Sequence, residues 1–256
     1  MHRTDRVHTN RVRAESFGAV AEVYDRVRPS YPPALIDDLL VGAPADALDV
    51  GCGTGKAARL LAERGVPVLG VEVDARMAAV ARAHEIPVEL GTFEDWDAAG
   101  RRFDLIISGQ AWHWIDPDSG AAKAAALLRP GGLLAPFWNF SAVDAGLRAR
   151  IDAAYARVAP QVTDRAVVRG GGPATIPPVV LQLRGTGFFA GVEHRRYPWE
   201  RDYTRDEWLA LVRTHSDHST LPAGQLAALL DAVGAAIGDQ LVHARYVTEA
   251  IFARRD

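Results

Sequence analysis

The chain has 256 residues, 48% of them hydrophobic and 24% charged. That is enough apolar material for one sizeable core and too much for wholesale disorder. The formal net charge of −3 removes the electrostatic reason to expect a nucleic-acid partner, and the single cysteine, Cys52, excludes an internal disulfide or a cysteine-based metal cluster.

Residues 1–16, MHRTDRVHTNRVRAES, carry basic side chains with no apolar run behind them. A flexible tail over 1–14 is expected rather than a secretory signal. No stretch reaches the roughly 18 apolar residues of a spanning helix, so the expected location is cytoplasmic. In SFGAVAEVYDRVR (16–28), Phe17, Val20, Tyr24 and Val27 fall on one helical face. RPSYPP then breaks the chain through Pro29, Pro32 and Pro33, and a helix over 33–41 follows with Leu35, Ile36, Leu39 and Leu40 inward.

Short apolar runs at 46–50, 67–72, 86–90, 103–108 and 132–138 alternate with helix-like segments at 55–64, 75–84 and 118–128. Strands spaced by helices of this length predict right-handed crossovers and a parallel sheet covered on both faces. LLRPGG (127–132) reads as a helix end followed by a turn into the fifth strand. Beyond residue 140, Leu147, Ile151, Tyr155 and Val158 mark a helix, and RGGGPATIPP (169–178) reads as a surface loop. YTRDEW (203–208) carries a capping box with Thr204 as cap and Glu207 three residues on. A helix over 222–237 and closing strands at 192–199 and 241–252 complete the expected fold. It is a doubly wound, mostly parallel α/β sheet of seven strands, forming a single domain over 15–256. An N-terminal lid (15–42) precedes a core (43–140), a cap insertion (141–237) and a closing strand (238–256).

The stretch LDVGCGTGKAARLLAERG (48–65) poses the chemical question. A phosphate-binding loop, G-x-x-x-x-G-K-[ST], would need glycine at 50 and a hydroxyl at 57, where the chain has Val50 and Ala57. The dinucleotide fingerprint G-x-G-x-x-G fits Gly51 and Gly53 but meets Lys56 where a small residue is required. What fits is an acidic residue followed by G-x-G-x-G: Asp49, Gly51, Gly53 and Gly55. Glycines let the backbone pass close under a ligand, and free N–H groups of the following helix suit a carboxylate. Glu72, closing the next strand in VLGVEVD, is placed to accept from two ribose hydroxyls and repels a 2′-phosphate. The loop therefore expects an amino-acid carboxylate and an unphosphorylated ribose on one molecule, as in S-adenosylmethionine.

Over roughly residues 15–140 the sequence resembles the class I S-adenosylmethionine-dependent methyltransferases. LDVGCGTG matches the first motif, and GVEVDARM, with Glu72, Val73 and Met77, the second. FDLIISGQAWHW, with Gln110, and LLRPGGLL match the fourth strand and the entry to the fifth. In GTFEDW, Thr92 stands where the family usually has an acidic residue on the adenine amine, which leaves that contact to Glu94 or to the backbone at Phe93. FGAVAEVYDRVRPSYP with AWHW is similar to the branch containing trans-aconitate methyltransferase. There the Tyr and Arg of Y-x-x-x-R-P lie over the cofactor; here these are Tyr24 and Arg28.

Methyl transfer needs alignment, exclusion of water and, for some acceptors, a base. His113, after the fourth strand, is the candidate catalytic residue; it either removes a proton or shapes the pocket between Trp112 and Trp114, and the second role is expected. Cys52 in the glycine loop reads as a small packing residue at the cofactor rather than a nucleophile. His215, Asp217 and His218 line an acceptor pocket or a solvated loop, and no metal is expected. The expected activity is methylation of a small organic acceptor, at a carboxylate or hydroxyl oxygen, with no nucleic-acid or membrane partner and the oligomeric state open. A tRNA or protein methyltransferase is the alternative, weakened by the acidic balance. A cofactor-binding regulator without catalysis is the other.

Overall fold

The computed structural model describes residues 21–163, 176–215, 217–218 and 221–256. The 1–14 tail, Phe17, Val20 and residues 169–175 of the expected loop lie outside them. Seven strands form one sheet in the order β3-β2-β1-β4-β5-β7-β6. They are β1 (Ala47–Val50), β2 (Val68–Glu72), β3 (Val88–Leu90), β4 (Phe103–Gly109), β5 (Leu128–Ala142), β6 (Phe189–Tyr203) and β7 (Val242–Arg255). The first five pair in parallel, while β7 runs antiparallel to both β5 and β6. This is the expected mostly parallel, doubly wound sheet.

The helices in chain order are α1 (Ala21–Val27), α2 (Pro33–Leu39), α3 (Lys56–Ala62), α4 (Ala75–Ala83), α5 (Pro117–Leu127), α6 (Ala145–Val158), α7 (Pro160–Thr163), α8 (Ile176–Gly185), α9 (Arg205–Arg213) and α10 (Ala223–Ile237). A short 3₁₀ turn spans Trp112–Trp114.

The central strands are buried on both faces, so their sequences read as unbroken apolar runs. All four residues of β1 are buried, and alternate residues feed two cores. Leu48, Val50, Ile106, Leu134 and Trp138 face one side, and Leu105, Ile107, Leu133 and Phe137 the other. A third core belongs to the cap. There Val27 of α1 packs with Leu147, Ile151 and Tyr155 of α6, Leu211 of α9, Leu230 of α10 and Tyr246 of β7. The strand order reverses between β1 and β4, and the carboxyl ends of those strands open the crevice in which α/β sheets bind ligands.

Three expectations are corrected. Residues 176–178 of the predicted loop begin α8 instead. Pro177 and Pro178 occupy its first turn, where a missing N–H costs nothing because those groups have no intrahelical partner. RPGG is not a turn between elements but an excursion within β5, whose register jumps from Phe103↔Leu128 to Leu105↔Leu133. The 141–237 segment is not all cap, since β6 inside it forms the edge of the sheet.

The capping box is present: Thr204 Oγ1 accepts from Glu207 N (3.3 Å), and Glu207 Oε2 accepts from Thr204 N (2.8 Å). Thr204→Ala removes one half of it and should cost about 1 kcal/mol in urea unfolding, with an unchanged m-value.

Candidate active site

β1 ends at Val50, and the chain turns sharply. Gly51 N (2.9 Å) and Cys52 N (3.1 Å) both donate to Val71 O, closing the turn onto β2. Gly51, Gly53 and Gly55 hold φ values of 68°, 56° and 76°, a left-handed region in which a side chain is strained. At Gly51 space is also decisive, because a Cβ there would lie 2.6 Å from Ala111 Cβ. The bare backbone at Gly51 is one wall of a cavity.

That cavity, of about 330 Å³, lies beyond the carboxyl ends of β1, β2 and β4. Gly51, Gly53, Glu72, Val73 and Met77 line its inner side, and Thr92, Phe93 and Glu94 its far end. Tyr24 covers it from α1, and Gln110 borders it after β4. A smaller cavity shares Tyr24, Gly51, Gly53 and Gln110 with it and reaches Arg28, Asp49 and Cys52. Two expected residues line neither. Gly55 instead faces Ala81 and Ile86, where a Cβ would sit 3.1 and 3.3 Å away, so it lets α3 pack against α4. His113 lies outside both cavities; Trp114 and Ile115 line the larger one in its place.

Glu72 is held by backbone. Its Oε2 accepts from Gly53 N (2.8 Å), and its Oε1 from Val73 N and Asp74 N (2.9 Å each). A carboxylate has about four lone-pair sites, so one remains, on Oε2. Burial pushes its carboxyl upward, and these N–H groups oppose the shift. Asp49 is different. It is 1% exposed, and neither carboxylate oxygen accepts a well-formed hydrogen bond among the described residues, the Ala58 N–H being the backbone donor that reaches toward it. Burial, with Glu72 nearby, pushes its carboxyl up to about 7. Burial also raises the Cys52 thiol, which packs against Gly70, so Cys52 is no thiolate nucleophile.

The segment from α1 to Ser30, expected to be a lid, is anchored at three places. Asp25 of α1 pairs with Arg59 (2.6 Å) and His84 (3.0 Å), and Lys56 Nζ donates to the Asp25 carbonyl. Arg28 donates from Nε to Thr214 Oγ1 and from Nη2 to Thr214 O (both 2.9 Å), and its guanidinium lies 5.0 Å from the centre of the Tyr24 ring. Asn139 Nδ2 donates to Ser30 O (2.9 Å). The far end of the cavity is braced from α5: Lys123 Nζ donates to Glu94 O and Trp96 O, and Asp116 N to Glu94 Oε1 (2.7 Å).

His113 Nδ1 accepts a hydrogen bond from Trp138 Nε1 (3.1 Å). His218 is buried with its Nε2 2.7 Å from the Tyr155 hydroxyl, and Asp217 is buried beside it, so these two do not sit on a solvated loop. None of His215, Asp217 and His218 lines either cavity. Sequence reasoning missed Asp95, which lines the larger cavity, and Tyr31, which lines the smaller one. Tyr31 crosses Phe137 edge-on (4.7 Å), and its hydroxyl lies where a Cβ on Gly109 would meet it at 2.7 Å. RPSYPP marks Tyr31 as a loop residue but gives no sign of the direction its ring takes. Asp95 is signalled only by the acidic character of GTFEDW.

Gln110, after β4, is a non-glycine residue at φ 60°. Its backbone N–H donates to Phe137 O (2.8 Å) and its side chain to Asn139 O (3.4 Å), which fixes this strained position at the mouth of both cavities.

Comparison with known proteins agrees with this geometry. Residues 48–135 match the methyltransferase domain family. An uncharacterised methyltransferase of Mycobacterium tuberculosis is 34% identical over 220 residues, 85% of this chain and 84% of that protein. Trans-aconitate 2-methyltransferase of Deinococcus radiodurans is 37% identical over 97 residues, 36% of each chain. A solved structure from Anaeromyxobacter dehalogenans, provisionally assigned as a type II methyltransferase, superposes with a TM-score of 0.66 at 27% identity, covering 89% of this chain and 97% of that one. The chain therefore belongs to the class I S-adenosylmethionine-dependent methyltransferases.

Proposed function

We propose that this chain binds S-adenosylmethionine in the two joined cavities and methylates a carboxylate oxygen of a small organic acid. The observation that carries the reading is Asp49. A buried carboxylate with neither oxygen in a well-formed hydrogen bond is costly to keep, and a ligand ammonium is the group that relieves it. The single remaining lone-pair site on Glu72 Oε2 suits one ribose hydroxyl. Arg28, Tyr24 and Lys56 border the smaller cavity and suit a ligand carboxylate. Thr92, Phe93, Glu94 and Asp95 surround the far end, where an adenine fits. When bound, the cofactor supplies a methyl group on a sulfonium, already activated toward in-line displacement.

The acceptor reading rests on His113. Because Nδ1 accepts from Trp138, the neutral ring carries its proton on Nε2. No lone pair is then left to take a proton from an acceptor. An acceptor that arrives ionised needs no base, and a carboxylate does so at neutral pH. The likeness to an enzyme named for trans-aconitate supports the same class. The chain's part is to hold the reactants in line and, through the lid and cap, to keep water out.

Three outcomes follow. For Asp49 the sign is set by its raised pKa. Below about pH 7 it is protonated in the free protein, and the proton must leave for an ammonium to bind. S-Adenosylhomocysteine affinity should therefore fall about tenfold per pH unit below 7 and level off above it. The folded pKa exceeds the unfolded one, so Asp49 lowers stability as pH rises from about 4 to about 7. Asp49→Asn should raise the ligand-free protein's stability at pH 8 by as much as about 4 kcal/mol, shrinking toward pH 4, while weakening binding. Equal stability at pH 8, with pH-independent binding, contradicts the assignment.

Glu72→Gln presents an amide N–H to backbone N–H groups. It should weaken S-adenosylhomocysteine binding by roughly 1–3 kcal/mol in calorimetry and lower the melting temperature as well. Unchanged affinity removes Glu72 from the site.

His113→Gln should slow transfer less than about tenfold, with an unchanged pH profile, whereas loss of a base costs 10²–10⁴-fold. A steep loss with intact cofactor affinity would restore the base role.

A further inference from the structure

A third cavity, of about 670 Å³, lies between α1, α9 and α10. Its floor is apolar, built from Val23 of α1, Leu209 of α9 and Leu230 and Ala235 of α10. Three guanidinium groups stand around it: Arg26 on α1, and Arg205 and Arg213 on α9. The carboxylates facing it are Asp206 and Asp231. Arg205 and Asp206 answer one another (3.5 Å), with Asp239 also near Arg205 (3.8 Å). With Asp239 counted, three guanidinium groups face three carboxylates. What distinguishes the cavity is an apolar lining beside two guanidinium groups, Arg26 and Arg213, that make no ion pair among the described residues.

We infer that this cavity is an effector site for a small amphipathic anion, an apolar body bearing one carboxylate or phosphate group that Arg26 and Arg213 share. Arginine forks match such oxyanions with paired N–H donors, and the floor offers burial to the apolar part. The position gives the site its consequence. α1 carries Tyr24 into the cofactor cavity and Arg26 into this one, half a turn apart. α9 carries Arg213 into this cavity, and the adjoining Thr214 holds Arg28 of the lid segment. An anion between Arg26 and Arg213 ties the lid helix to the cap at the joint that Arg28 and Thr214 already make. Occupancy then favours the closed lid and raises cofactor affinity, and coupling of this kind is reciprocal.

Octyl phosphate, kept below its micellar concentration, is the test probe, with inorganic phosphate and octyl glucoside as arms that each lack half the chemistry. Calorimetry on the full chain should show octyl phosphate binding, at least tenfold weaker binding of either half-probe, and at least tenfold loss in the Arg26→Glu/Arg213→Glu variant. Both arginines are exposed, and an unchanged melting temperature establishes that the variant folds. Saturating octyl phosphate should tighten S-adenosylhomocysteine binding about fivefold or more, and S-adenosylhomocysteine should tighten octyl phosphate by the same factor. The coupling rests on the proposed cofactor; direct binding of the probe does not, so the two fail separately. Equal binding by the double variant, or displacement of the probe by S-adenosylhomocysteine, overturns the site. So does binding that arises only after residues 1–15 are deleted, which makes the chain's own segment the occupant.

Discussion

Glu72 joins the ends of two neighbouring strands, and the rest of the site depends on that joint. Its carboxylate closes β2, yet it accepts from Gly53 in the turn after β1 and from Val73 and Asp74 at the start of α4. Charge-assisted bonds to backbone N–H groups are among the stronger local restraints a fold can use. Here they set how far the glycine turn stands from β2, and so the width of the cavity between them. The side chain is thus a structural tie first, with a single lone-pair site left over for a ligand. A substitution at Glu72 disturbs the shape of the loop as well as any contact it makes.

The chain's two lysines, Lys56 and Lys123, serve the same end at opposite sides of the cavity. Each donates to backbone carbonyls of a segment that lines it: Lys56 to Asp25 in the lid helix, Lys123 to Glu94 and Trp96 at the far end. Lys56 fits the lysine of one phosphate-loop pattern and is the residue that spoils the dinucleotide fingerprint. Its position at the start of α3 places the ammonium under α1, where it holds the lid rather than a nucleotide. Asp49 is the counterpart among the acids: the fold keeps it buried without a well-formed hydrogen bond among the described residues, at the expense of stability. The proposed ligand ammonium is what would relieve it.

Much of this was legible in the sequence because it is local. The turn from β1 into α3 is dictated by successive residues, and Asp49, Gly51, Gly53 and Glu72 could be named from motif spacing alone. The central strands announced themselves as apolar runs between helices of crossover length, which fixed the parallel half of the sheet. Gly55 belongs to the same motif but serves helix packing, a distinction visible only once Ala81 and Ile86 are seen beside it. His113 follows the same logic. Its place after β4 was readable, but its partner, Trp138, comes from a different strand. Tyr31 and Asp95 reach the cavities from segments whose direction is set by tertiary packing, as Tyr31 on Phe137 shows. Prolines at 177 and 178 read as helix breakers, although the first turn of α8 tolerates both.

A crystal structure of the chain with S-adenosylhomocysteine tests the central claim most directly. The account predicts the ligand's ammonium nitrogen within about 2.7–3.2 Å of an Asp49 oxygen and one ribose hydroxyl at Glu72 Oε2. A ligand bound with Asp49 still lacking a well-formed hydrogen bond, or lying elsewhere in the fold, would contradict it.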